Sequence, residues 1–213
     1  FYADDEYDLA GFCVGIVEQE RLIDGSAIRV GDRIIGLASS GVHSNGFSLA
    51  RNVLFEKGGL RAGDSVSGLE GPVGEELLKP TKIYVKSLLN LLKNFNVKGL
   101  VHITGGGFID NIPRIVPSPC AAVIGRKQWP VPPIFRVIQE MGNVEEEEMF
   151  RVFNMGIGMI VIVPDKEAAV SLESLVMHGG KPYLIGAIEK RSPERPRIIL
   201  VKAMTARLGI SIL

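Results

Sequence analysis

Residues 39–46 (SSGVHSNG) bring three serine hydroxyls, two glycines, an imidazole and an amide together in one short stretch. Hydroxyls and an amide hold a ligand by hydrogen bonds, and glycines let backbone N–H groups approach an anion closely. Histidine can move a proton or meet a phosphate near neutral pH. A second stretch of the same character is Thr104-Gly105-Gly106-Gly107, where three successive glycines remove every Cβ and open the backbone to a phosphate or ribose. Neither stretch has the spacing of a P-loop or a Rossmann fingerprint. Residue types alone leave two readings open for such loops: an anion cradle, or an ordinary turn in which Ser44 or Asn45 caps the next helix.

The flanking elements decide how these loops are presented. Residues 33–38 (RIIGLA) are short, apolar and β-branched, which predicts a buried strand, and residues 47–57 (FSLARNVLFEK) carry apolar side chains at helical spacing. The first loop therefore ends where a helix begins, and the free N–H groups and positive dipole end of a first helical turn suit an anionic guest. Residues 100–103 (LVHI) predict a second buried strand leading into the triple glycine, with His102 a satisfied core residue.

Elsewhere, alternation over residues 8–18 predicts a strand, Asp24-Gly25 and Gly31-Asp32 mark turns, and residues 58–74 form a glycine-rich surface excursion. Val85, Leu88, Leu89, Leu92 and Phe95 share one face of a helix over 83–95, with Pro80 near its first turn. A strand over 121–124 precedes Trp129, a packing anchor, and a helix over 134–141. Asn143 is placed as the N-cap of a helix that opens with four glutamates, whose consecutive side chains diverge and cannot converge on one ion. Residues 154–158 read as a tight turn or a binding segment before a strand over 159–163. A helix over 166–178 ends at His178, read as structural, and strands over 183–189 and 197–201 complete the pattern. Strands and helices mix without a strict βαβ rhythm, which predicts one α+β domain with a mixed β-sheet flanked by α-helices.

Five segments in this order and spacing, SSGVHSNGFSL, LLKPTKIYVKSLL, VHITGGGFIDNIPR, WPVPPIF and FNMGIGM, resemble the C-terminal domain of the aminoimidazole ribonucleotide synthetase family, the phosphoribosylformylglycinamidine cyclo-ligases of purine synthesis. The resemblance runs from about Tyr7 to about Leu200. It implies a similar α+β fold and an ATP-driven closure of the imidazole ring in formylglycinamidine ribonucleotide. It also implies that His43 is catalytic, and that Ser40, Gly41, Ser44, Asn45, Gly46, Thr81, Thr104, Gly105, Gly106, Gly107, Asn111, Asn154 and Gly156 bind substrate or nucleotide, with Lys82 and Tyr84 beside them. No residue here is expected to hold a metal, because the family's ATP and Mg²⁺ groups lie mainly in an N-terminal domain. The resemblance thus implies a linker remnant at 1–8, a C-terminal domain at 9–201 and a tail at 202–213, with the parent enzyme a homodimer. Two alternatives stay open: another ATP-using member of the same superfamily, and a non-catalytic ligand-binding fragment.

Bulk properties exclude several classes. The 213 residues are 46% hydrophobic, enough for a sizeable core. Lys plus Arg and Asp plus Glu balance at 24 each, so no global field draws nucleic acid or an anionic membrane, and any anion must be bound locally. Cys13 and Cys120 sit in apolar runs and read as free buried thiols. With no long apolar run and an acidic start, the expected location is the cytoplasm.

Overall fold

The computed structural model describes Tyr7 and residues 9–204. Among these residues, six strands form one mixed sheet: β1 (Arg33–Ala38), β2 (Gly99–His102), β3 (Cys120–Gly125), β4 (Ile157–Val163), β5 (Pro182–Lys190) and β6 (Ile198–Val201). Their order is β2-β4-β1-β5-β3-β6. Every pair is antiparallel except β3 with β6, which run parallel. The predicted α+β class and mixed sheet are what the chain adopts.

Seven helices cover the two faces: α1 (Phe47–Arg51), α2 (Val73–Leu77), α3 (Val85–Asn94), α4 (Gly107–Asn111), α5 (Pro133–Gly142), α6 (Glu146–Val152) and α7 (Ala168–Met177). A π-helical turn, Asn52–Lys57, prolongs α1, and a 3-10 turn, Ile112–Arg114, prolongs α4. Successive side chains of a strand point to opposite faces, so both faces of β4 are apolar and need cover. Ile160 and Ile162 join the larger core with Phe108, Trp129, Phe135, Phe150 and Phe153. Val161 and Val163 join a smaller one with Leu88 and Leu91 of α3 and Leu175 of α7. Trp129 is the anchor it was read to be. Its ring stacks on Phe108 at a centroid distance of 5.8 Å and its Nε1–H donates to Met155 O at 2.8 Å.

Several expectations are corrected. Residues 9–18 form no strand, and their side chains stand in solvent, with Phe12 94% exposed. Alternation supplies a strand face, but a strand also needs a paired edge, and none of the described strands lies alongside this one. Asp8, which opened that stretch, lies outside the described residues, as do residues 1–6 of the expected linker and 205–213 of the expected tail. Cys13 is consequently exposed, whereas Cys120 is buried as anticipated, and both thiols are free. Pro80 does not sit in a first turn, since α3 begins only at Val85. Asn143 closes α5 in the left-handed region at φ 47° instead of capping α6, whose N-cap is Glu145.

Candidate functional site

β1 and β2 both pair with β4 in antiparallel register, Ala38 opposite Ile157 and His102 opposite Met159. The C-terminal ends of β1 and β2 and the N-terminal end of β4 therefore meet at one end of the sheet. From that end emerge the loop at 39–46, the triple glycine and the 153–156 turn. The irregular segment at 79–84, which leads into α3, lies across the first loop.

Side-chain amides hold these segments together. Asn154 is fully buried; its Nδ2 donates to Gly41 O at 2.9 Å and its Oδ1 accepts from Gly156 N–H at 2.8 Å. The Ser39 hydroxyl lies 3.0 Å from both Gly41 O and Asn154 Oδ1, sharing its single hydrogen. The Asn111 amide staples the glycine loop to itself, donating to Thr104 O at 3.3 Å, Gly105 O at 3.2 Å and Gly107 O at 2.8 Å. Its Oδ1 accepts from Thr104 Oγ1 at 3.3 Å. With the carbonyls drawn inward, the N–H groups of Gly105 and Gly106 meet no partner among the described residues. Gly107 is buried at φ +53°, where a Cβ would strike the carbonyl of Phe150. Gly46, at φ +74°, has its Cβ position filled by the Phe153 ring.

The segment at 79–84 is bonded to the first loop. Ser40 Oγ donates to Pro80 O at 2.6 Å, the Ser44 and Thr81 hydroxyls lie 3.3 Å apart, and Tyr84 Oη donates to Ala38 O at 2.9 Å. Burial raises the Tyr84 phenol pKa. Tyr84 and His43 converge on Gly158, where the β1–β4 register shifts. A Cβ there would overlap Tyr84 Oη and lie 2.5 Å from His43 Cε1.

His43 departs from the expectation of a ligand-facing imidazole. It is 3% exposed, at φ 57°, and its Nε2 accepts from Ser40 N–H at 3.1 Å and Lys82 N–H at 3.4 Å. Both partners are donors, so Nε2 is bare and the neutral ring carries its proton on Nδ1. Burial above all, then the positive charges of His102 and Lys82, lowers its pKa to about 4. A ring in that state serves its two N–H partners as a neutral acceptor. His102 was misread in the other direction: it is exposed, 6.5 Å from the Tyr84 ring, on the open side of the same wall. A histidine at the end of a strand, just before a glycine loop, is the signal that marked it.

The predicted residues thus divide. Asn111, Asn154, Gly41, Gly107 and Gly156 are buried fasteners, while Ser44, Asn45, Thr81, Thr104, Gly105 and Gly106 reach the surface where the loops meet. Asp110 was missed; its Oδ2 lies 2.8 Å from the Cβ position of Gly106, which puts a carboxylate beside the glycine loop. Among the described residues there is no group of three or more His, Cys, Asp or Glu side chains that could hold a metal ion. No helix of the described residues is long and apolar enough to cross a membrane.

Comparison with known proteins identifies the family and the fold. Residues 29–199 match the family model described as AIR synthase related protein, C-terminal domain. A protein of Syntrophus aciditrophicus (strain SB) named phosphoribosylformylglycinamidine cyclo-ligase is 59% identical over 197 residues, covering 92% of this chain and 57% of that protein. A protein of the same name from Syntrophotalea carbinolica is 54% identical over 202 residues, covering 94% of this chain and 58% of its own length. The chain thus spans rather more than half the length of these curated relatives. Among solved structures, thiamine-monophosphate kinase from Stenotrophomonas maltophilia K279a shares the fold with a TM-score of 0.59 at 14% identity, covering 88% of this chain and 55% of that one. The hydrogenase maturation protein HypE of E. coli does so with a TM-score of 0.52 at 21% identity, covering 83% of this chain and 48% of that one. With the family model matching most of its length, the chain belongs to the AIR synthase related family, of which it carries the C-terminal domain.

Proposed function

We propose that this chain supplies the substrate-facing part of a composite active site in a cytoplasmic phosphoribosylformylglycinamidine cyclo-ligase, which closes an imidazole ring at the expense of ATP. The observation that supports it most is the bonding of three sequence-distant segments at one sheet end, the first loop to the 79–84 segment and to the 153–156 turn, each a segment matching a cyclo-ligase motif. In the reaction the formyl oxygen of formylglycinamidine ribonucleotide is activated by the γ-phosphate of ATP. A nitrogen of the same molecule then attacks that carbon, and the oxygen leaves with inorganic phosphate. Such chemistry asks the protein to hold a flexible substrate in an attacking conformation and to meet phosphoryl charge.

Ser44, Thr81 and Thr104 hydroxyls, the Asn45 amide and the Gly105 N–H are the groups offered to the substrate, with Lys82 adding positive charge. The Asp110 carboxylate beside Gly106 favours sugar hydroxyls at that end over a phosphate. Binding of Mg²⁺, much of the nucleotide contact and the homodimer interface belong, in this proposal, to the stretch of the curated relatives that the chain does not span.

The test is an assay of the enzyme in its relatives' full length, measuring ATP-dependent ring closure together with phosphate release. Turnover with formylglycinamidine ribonucleotide is expected. A well-folded enzyme that binds this ribonucleotide without turning it over would overturn the reading in favour of a binding module.

The glycine loop provides a second measurement. Gly105 has open space around its Cβ position and no left-handed φ, unlike Gly106 at φ +93°. Gly105→Val should therefore leave the thermal midpoint within about 2 °C. It should weaken formylglycinamidine ribonucleotide binding by about 2- to 10-fold, because a neutral N–H contact to a sugar hydroxyl contributes about 0.5–1.5 kcal/mol. Unchanged affinity by calorimetry would remove Gly105 from the binding surface.

A further inference from the structure

We propose that His43 is a positioning residue: its bare Nε2 fastens the segment at 79–84 across the first loop and thereby sets the Ser44 and Thr81 hydroxyls side by side on the surface where the loops meet. The inference rests on the ligand site proposed above, but its geometry stands independently. Nε2 accepts from one N–H on each side of the joint, Ser40 in the loop and Lys82 in the crossing segment. Bonds to either side complete the seam, Ser40 Oγ to Pro80 O and Tyr84 Oη to Ala38 O. The paired hydroxyls of Ser44 and Thr81, 3.3 Å apart, lie along it.

Three further observations fit a fastening ring and not a proton carrier. A non-glycine residue at φ 57° is conformationally costly and persists where its surroundings over-determine it. Gly158 leaves the space that the ring and the Tyr84 hydroxyl fill together. Nδ1 is buried without a hydrogen-bond partner among the described residues, so the ring's other nitrogen is closed off as well. The charged and titratable groups around it are Lys82, His102 and the Tyr84 phenol. None is a carboxylate, so nothing among them favours an imidazolium. Protonation would turn Nε2 into a donor facing two donors and release the seam.

The decisive variants are His43→Gln, whose Oε1 can accept in place of Nε2, and His43→Leu, which keeps bulk and loses the acceptor. In the full-length enzyme, His43→Gln should keep kcat within about 3-fold, while His43→Leu should raise KM for formylglycinamidine ribonucleotide on the order of 10-fold or more, through misplacement of the substrate-facing hydroxyls. A proton-transferring histidine would instead lose kcat on the order of 100-fold in both variants, and that result overturns the proposal. A second measurement needs no activity. Imidazole ¹⁵N shifts of the unsubstituted protein should show an unprotonated Nε2 and a protonated Nδ1 throughout the range from about pH 8 to about pH 5. A ring that titrates within that range, or that carries its proton on Nε2, overturns the proposal whether or not the protein is a cyclo-ligase. If the shifts are as expected and the enzyme shows no ring closure, the functional reading fails while the fastening role stands.

Discussion

Asn154→Ala is expected to destabilise the domain by about 2–4 kcal/mol and to loosen the joint between the first loop and the 153–156 turn. The amide sits in full burial and bonds Gly41 O and Gly156 N–H, with Ser39 Oγ also in reach. Its removal strands the buried Gly156 N–H, at a cost of about 1–3 kcal/mol, leaves Gly41 O to the Ser39 hydroxyl alone, and opens a small void besides. Asn154→Asp is expected to be at least as damaging. The carboxylate keeps the acceptor but loses the donor to Gly41 and places a charge against that carbonyl. Urea denaturation reads the effect as a lowered midpoint at unchanged slope. A loss below about 1 kcal/mol for the alanine variant would show that Asn154 does not join the loop to the turn.

The second large effect is expected at Gly107. Alanine there must take up a left-handed backbone, at a cost of about 1–2 kcal/mol, and drive its Cβ into the Phe150 carbonyl and the carbonyl of Arg151. Both obstacles are backbone at the end of α6, so relief requires α4 and α6 to move apart, and overpacking of this kind costs about 1–3 kcal/mol more. Gly107→Ala should therefore lower stability by about 2–5 kcal/mol, against almost nothing for Gly105→Ala two residues earlier. Equal thermal midpoints for the two variants would mean that Gly107 is not held as described.

These two residues also show what the sequence could and could not reveal. The strands β1, β2 and β4 were legible because each is a short apolar β-branched run, and the loops were legible because each follows such a strand and is rich in glycine and hydroxyls. Which loop residue faces a ligand was not legible. Asn111, Asn154 and His43 have the chemistry of contact residues, and the structure spends that chemistry on neighbouring backbone groups. Only the antiparallel registers of β1 and β2 on β4 decide this, and register joins residues far apart in the chain. The failure at residues 9–18 has the same root. Alternation reports a face, whereas a strand is completed by an edge that local sequence does not encode. Asn143 illustrates a narrower ambiguity: asparagine favours both the start of one helix and the left-handed end of another, and with α5 ending immediately before it the second use won.

The placement of β1 bears on how the protein is made. It is an inner strand of the sheet, yet both of its neighbours, β4 and β5, are translated long after it. At a synthesis rate of about 5–20 residues per second, β1 emerges on the order of ten seconds before β4 is available. Through that interval the apolar run RIIGLA has two unpaired edges and no permanent partner. Such a segment pairs readily with its counterpart on another nascent chain. Solubility during expression should therefore depend on β1 more than the finished domain, where it is entirely enclosed, would suggest. A ribosome-bound chain halted ahead of residue 157 should be the most aggregation-prone species that this protein forms.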